Sequence, residues 1–196
     1  MKPVEFWFEY ASTYSYPAAH RLPVLAKRAG VDVVFRPFLL GPLFAAQGWN
    51  DSPFNLYPVK GRYMWRDLER ICEREQLPFV RPSRFPRNGL LAARVTIAFE
   101  EEPWISDFVR SVYTANFAED RDISTEEFVS SLLGRLGRDA ASDLRAARTD
   151  ENKAKLRDRT ERARSLGLFG SPTFVVGGEL FWGNDRLEQA LAWALR

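Results

Sequence analysis

The chain is short of the residues that most often carry chemistry on their own. In 196 residues it has one cysteine, Cys72, and one histidine, His20. A single cysteine excludes an internal disulfide, a CxxC redox centre and a zinc site built on thiolates. A single histidine leaves no Ser/His/Asp constellation to assemble, and His20 is expected to be structural or at the surface. No apolar run approaches the ~20 residues of a transmembrane helix, so no membrane association is expected. HExxH, P-loop and GxGxxG patterns are missing, which removes the usual signals for metal hydrolysis and nucleotide binding; no metal is expected. Charge of one sign is lacking too. The net charge is +2, with 28 basic residues scattered among 26 acidic ones. That pattern is a solvated surface rather than a nucleic-acid stripe. Met1-Lys2-Pro3 leads directly into the alternating run Val4-Glu5-Phe6-Trp7-Phe8, with no small-residue cleavage site, so no leader is read.

What the chain does have is 45% hydrophobic residues, enough for one core of ordinary size. Residues 4–10 read as a strand, 17–28 as a helix stopped by Gly30, and 31–35 as a second strand closed by Arg36-Pro37. Two strands joined by such a helix run parallel with a right-handed crossover. From about 42 to 165 the periodicity is helical, with helices expected near 60–76, 89–101, 104–118, 125–134, 139–147 and 150–165. The Pro- and Gly-rich stretches 37–58 and 78–89 read as ordered loops. Strand character returns at Thr173-Phe174-Val175-Val176. Gly177-Gly178 then signals a hairpin into Glu179-Leu180-Phe181-Trp182. Gly183-Asn184-Asp185 is expected to cap a last helix at 186–195. The first and last segments must complete one small mixed sheet around a helical insertion.

Few positions in this frame carry chemistry. Ser12 follows a strand and opens a helix. It reads either as a capping serine or as a hydroxyl placed, with free N–H groups, to stabilise a bound anion such as a thiolate. Ser171-Pro172 precedes the third strand; an ordinary trans proline is the commoner reading, and a cis bond would be a maintained feature. Asn184-Asp185 reads as a capping pair or as a holder for a ligand ammonium group. Cys72 sits among apolar helical positions and is expected to be a buried thiol. Glu100-Glu101-Glu102 reads as a solvated helix end. Of six tryptophans, Trp182 beside Gly183 is the candidate ligand contact.

Six segments together resemble a known family. They are Phe6-Trp7-Phe8-Glu9-Tyr10-Ala11-Ser12-Thr13-Tyr14-Ser15-Tyr16, Arg36-Pro37-Phe38-Leu39-Leu40-Gly41, Lys60-Gly61-Arg62-Tyr63-Met64, Phe85-Pro86-Arg87-Asn88, Gly167 through Phe174, and Phe181 through Leu187. The chain resembles the 2-hydroxychromene-2-carboxylate isomerases and the related kappa-class glutathione transferases. The resemblance implies an α/β fold in which a thioredoxin-like domain (residues 1–41 and 166–196) is interrupted by an all-helical insertion (42–165), the DsbA arrangement. It implies glutathione as cofactor and Ser12 as the catalytic serine that holds the sulfur. Ser171 and cis Pro172 would pair with the glutathione backbone. Asn184 and Asp185 would hold the γ-glutamyl end, with Gly183, Trp182, Asn50 and Lys60 completing the glutathione site. Tyr14, Asn88 and Trp182 would border a small aromatic or unsaturated second substrate. A cytoplasmic homodimer is implied as well. Two positions depart from the family's pattern: Thr13 stands where a proline is usual, and Ala45 where the isomerases usually carry lysine. The implied activity is interconversion of 2-hydroxychromene-2-carboxylate and trans-o-hydroxybenzylidenepyruvate in aromatic catabolism. A kappa-like transferase, an isomerase of another unsaturated substrate, and a silent thioredoxin-fold binding module remain the alternatives.

Overall fold

The computed structural model describes residues 2–196. Its sheet is built from both ends of the chain. β1 (Val4–Phe8) runs parallel to β2 (Val33–Pro37) and antiparallel to β3 (Thr173–Val176), which forms a hairpin with β4 (Glu179–Trp182). The order across the sheet is β2-β1-β3-β4. Gly177 and Gly178 both hold positive φ, 57° and 93°, which a two-residue hairpin turn demands and which glycine adopts without strain.

Strand alternation gives the sheet two buried faces. Val4, Phe6 and Phe8 point one way into the main core, where Phe6 stacks on Phe8 at 4.8 Å and on Phe174 at 5.6 Å. Trp7 points the other way, into a smaller cluster with Phe38, Leu43, Ala163, Leu168 and Val175. α1 (Ser15–Ala29) crosses from β1 to β2 and ends where Gly30, at φ 66°, turns its N–H back to the Ala26 and Lys27 carbonyls.

Between β2 and β3 come α2 (Leu40–Ala46), α3 (Pro53–Leu56), α4 (Pro58–Arg74), α5 (Leu90–Ala98), α6 (Ile105–Phe117), α7 (Glu126–Arg135), α8 (Ala140–Ala147) and α9 (Asp150–Ser165). The polar residues just ahead of α7, α8 and α9 start those helices. Thr125, Asp139 and Thr149 each accept a bond from an N–H in the first turn. After β4, a 3₁₀ turn at Asn184–Arg186 leads into α10 (Leu187–Ala194). One apolar core runs from the sheet through α1, α4–α9 and α10. At the far edge, Arg36 of β2 and Arg159 of α9 both grip Glu100, the latter in a two-point pair at 2.9 Å each. So the Glu100 end of the acidic run is partnered rather than free.

Three expectations change here. The second strand lies at 33–37, so Arg36 and Pro37 belong to it; β2 is an edge strand, and the missing proline N–H faces no neighbour. The stretch 37–58 is not all loop. Pro42 and Pro53 sit in the first turns of α2 and α3, where no N–H is needed, and Ser52 caps α3 through the Phe54 N–H at 3.3 Å. No side chain caps the 3₁₀ turn or α10, so Asn184 and Asp185 are not a capping pair.

Candidate active site

The site begins where β1 ends. Beyond Phe8 the chain turns at Glu9–Tyr14 before α1, and the Ser12 N–H bonds back to the Glu9 carbonyl at 2.9 Å. This turn is clamped from below. The buried Tyr10 hydroxyl meets Thr96 Oγ1 of α5 at 2.5 Å. Asn116 of α6 donates to the Tyr10 carbonyl at 3.0 Å, and Tyr113 of α6 donates to the Glu9 carbonyl at 2.8 Å. Gly89 lies so close that a Cβ there would sit 2.5 Å from Tyr10 Cβ.

Ser12 is not a helix cap. α1 starts three residues later, at Ser15, and its flanking residue Tyr14 makes no capping bond. The Ser12 hydroxyl instead donates to the Ser171 carbonyl at 2.8 Å and accepts from Ser15 Oγ at 2.9 Å. Ser15 Oγ lies 2.7 Å from Ser171 Oγ, which accepts the Glu9 N–H at 3.1 Å. Three hydroxyls thus form one connected network across the turn. Ser171 is presented to Ser12 by a cis Ser171-Pro172 bond; Phe85-Pro86, across the cavity, is cis as well.

Above this floor opens a cavity of about 1070 Å³. Its floor carries Glu9, Ser12 and Ser171; its walls carry Phe44, Trp49, Phe54, Tyr63, Phe85 and Trp182 among others. The walls are held by ring contacts: Phe44 on Trp49 at 5.6 Å, Tyr14 on Phe54 at 6.3 Å, Phe169 on Trp182 at 4.9 Å. Gly170 makes room for Trp182, whose Nε1 would lie 2.5 Å from a Cβ at that position. Tyr14 donates to Asp67 at 2.9 Å, and burial with this carboxylate beside it keeps the phenol protonated. Two cationic side chains line the cavity. Arg87 is buried and tied to Asp120 and Asn116. Lys60 is exposed, its ammonium 5.0 Å over the Tyr57 ring.

The cavity therefore brings together six of the expected residues: Ser12, Tyr14, Lys60, Asn88, Ser171 and Trp182. It does not bring in the other five as lining. Asn50 is exposed and off the lining. Pro172 is buried behind Ser171, and its carbonyl accepts the Gly183 N–H at 2.9 Å. Asn184 is buried, and its Oδ1 accepts from Arg21 of α1 at 3.0 Å, while its amide N–H groups have no partner among the described residues. Asp185 is exposed at the rim, close enough to Tyr14 to influence its phenol.

Sequence reasoning missed Glu9. It is half-buried on the cavity floor, its Oε2 accepting the Ala11 N–H at 3.1 Å. Burial pushes its carboxyl up to about 7, against the pull of that bond. The other sparse groups stay out of the site. His20 packs edge-on to Tyr16, 3.2 Å from Thr114 Oγ1, with burial and Arg110 lowering its pKa to about 4. Cys72 is a buried thiol pushed up to about 12.

The model of the DSBA-like thioredoxin domain matches residues 3–193. The chain belongs to that family. Within it, the chain is 28% identical to the 2-hydroxychromene-2-carboxylate isomerase of Sphingobium xenophagum, over 95% of each chain. It is 25% identical to glutathione S-transferase kappa 1 of Homo sapiens, over 95% of this chain and 88% of the relative. A solved structure of a 2-hydroxychromene-2-carboxylate isomerase superposes with a TM-score of 0.84 at 27% identity, covering 98% of this chain and 96% of that one. The resemblance read from the six sequence segments holds over the whole chain, and the DsbA-like thioredoxin fold is the one found.

Proposed function

We propose that the protein is a glutathione-dependent isomerase of an unsaturated aromatic substrate, of the type that interconverts 2-hydroxychromene-2-carboxylate and trans-o-hydroxybenzylidenepyruvate. The observation that carries this reading is the convergence of Ser12 and Ser171 on the floor of an aromatic-walled cavity, in a chain aligned end to end with isomerases of that name.

The donor set fits glutathione. Ser12 offers a hydroxyl whose proton is now held by the Ser171 carbonyl; rotating it toward the cavity leaves Ser15 still donating to its oxygen. Lys60 supplies a cation for a ligand carboxylate, and Asp185 at the rim an anion for the γ-glutamyl ammonium. When bound, glutathione supplies a nucleophilic thiolate that adds to a conjugated double bond, permits rotation, and leaves again. Ser12 favours the thiolate by donating to it. Each unit by which the thiol's pKa is lowered corresponds to ~1.4 kcal/mol of preference for the ionised form. The aromatic walls exclude water and flank the flat substrate, with Tyr14, Asn88 and Trp182 at its border. In this reading the thioredoxin-like part, 1–41 with 166–196, supplies the floor, and the insertion 42–165 supplies most of the wall. The protein would act in the cytoplasm as a homodimer, an assembly supported by the exposed strip Leu56, Tyr57, Val59 and Tyr63 and read out by its hydrodynamic mass.

A specific feature favours a second reading, a different unsaturated substrate or a kappa-like transfer. With Arg87 engaged by Asp120, Lys60 is the free cation of the lining among the described residues. Position 45, next to Phe44 of the wall, is alanine. If Lys60 serves glutathione, a substrate carboxylate has no counter-charge.

One assay separates these readings. The ultraviolet spectrum of 2-hydroxychromene-2-carboxylate is followed with catalytic glutathione. Equilibration with glutathione conserved supports the isomerase. Stoichiometric loss of glutathione on an electrophile supports transfer, and no thermal shift at millimolar glutathione rules out both.

A further inference from the structure

The floor holds one carboxylic acid, Glu9, and the serine network does not use its side chain. The main chain of Glu9 is fully engaged: its N–H goes to Ser171 Oγ, and its carbonyl accepts from Tyr113 and from the Ser12 N–H. The residue is thereby held on the floor with Ser12 and Ser171. Oε2 is taken by the Ala11 N–H, while Oε1 has no partner among the described residues. No ion pair involves Glu9 among those residues.

Most of the titratable and charged groups around it are otherwise engaged. From β1's own extension, Tyr10 bonds Thr96, and from α6, Tyr113 donates to the Glu9 carbonyl. Across the cavity, Tyr14 donates to Asp67, Arg87 is paired with Asp120, and Lys60 and Tyr63 lie on α4 at the exposed side. Burial raises the Glu9 carboxyl to about 7, so it takes the proton of a thiol that the Ser12 hydroxyl has lowered below that value. A thiolate and a carboxylate charged side by side repel, so the thiolate is favoured when the carboxyl carries the proton.

We infer that Glu9, rather than solvent, accepts and holds the proton that the glutathione thiol gives up at Ser12. The inference rests on the glutathione reading above. The electron pair of the S–H bond stays on sulfur and a new O–H bond forms at Oε1, so the floor carries one negative charge before and after. When the thiol is re-formed, Glu9 returns the proton.

Proton linkage of binding tests this without turnover. Glutathione is titrated calorimetrically at about pH 8 in buffers of different ionisation enthalpy, with the thiolate ultraviolet band recorded in parallel; free Glu9 is then mostly ionised and free thiol mostly protonated. The wild-type protein is expected to release close to no protons, because the thiol proton moves to Glu9. Glu9→Gln is expected to release nearly one proton per glutathione, and Glu9→Asp to return toward the wild-type value. With S-methylglutathione, which has no thiol, the difference between the proteins is expected to vanish. Release of nearly one proton by the wild type overturns the inference even if Glu9→Gln fails to fold. Equal release by wild type and Glu9→Gln with a thiolate band in both also overturns it, while leaving the proposed function standing. Absence of heat or of a thiolate band in the wild type overturns both.

Discussion

The floor and the walls of the cavity are built on opposite principles. On the floor nearly every polar atom has an assigned partner, and a few residues, Glu9, Ser12, Ser15 and Ser171, share the bonds. The walls, from 39–63, 85–90, Phe169 and Trp182, are aromatic and aliphatic surfaces held by ring contacts. Hydrogen bonds are directional and costly to break when buried, whereas apolar packing tolerates exchange of shape. On the proposed reading, the floor would act on sulfur and proton, and the walls would select the electrophile.

The sharpest way to break this contrast is through Glu9. Its folded carboxyl titrates at about 7 against 4.5 ordinarily, so between those values the folded state holds more protons than the unfolded. Stability is then full below about pH 4.5 and falls as pH rises toward 7, by up to about 3 kcal/mol. Denaturant titrations of Glu9→Gln at pH 5 and pH 8 are expected to lack that fall; a slope identical to wild type refutes it. Next in size, Ser12→Ala is expected to lower turnover by about tenfold or more, the effect of losing ~1.4 kcal/mol of preference for the thiolate. Circular dichroism should show the fold intact. Phe44→Ala tests the wall: electrophile KM is expected to rise about fivefold, near 1 kcal/mol, while the glutathione binding isotherm stays put. A parallel loss of glutathione affinity would erase the division. Smallest, Asp67→Asn weakens the partner of Tyr14, with about a twofold change in kcat/KM expected, within the range of one modest hydrogen bond.

Legibility in the sequence followed the range of the interactions. β1, α1, the Gly177-Gly178 hairpin and the helices from α4 to α9 announce themselves within a dozen residues, through alternation, capping and glycine stops. α2 and α3 were masked because Pro42 and Pro53 look like breakers until their first-turn positions are known. Ser12 stood out by its place between strand and helix and Ser171 by the proline after it; the family resemblance gave each its expected role. Glu9 carried no signal of its own: one acid after a strand is ordinary, and what sets it apart is its place on the floor, where Ser171 and Tyr113, 162 and 104 residues away, hold its main chain. The bond between Arg21 and Asn184 was illegible for the same reason, since it spans 163 residues.

The bond from Ser12 to the Ser171 carbonyl spans 159 residues, and it bears on the birth of the molecule. On the ribosome, β1 waits with Phe6 and Phe8 unpaired on the β3 side until nearly the whole polypeptide has emerged. Closing a loop of that size costs about 4–5 kcal/mol of chain entropy beyond the constant term, and such non-local pairings slow folding. A helical bundle formed early shortens the effective loop. On this order of events the helices between β2 and β3 would act first as a folding scaffold, and only later as the wall of the cavity.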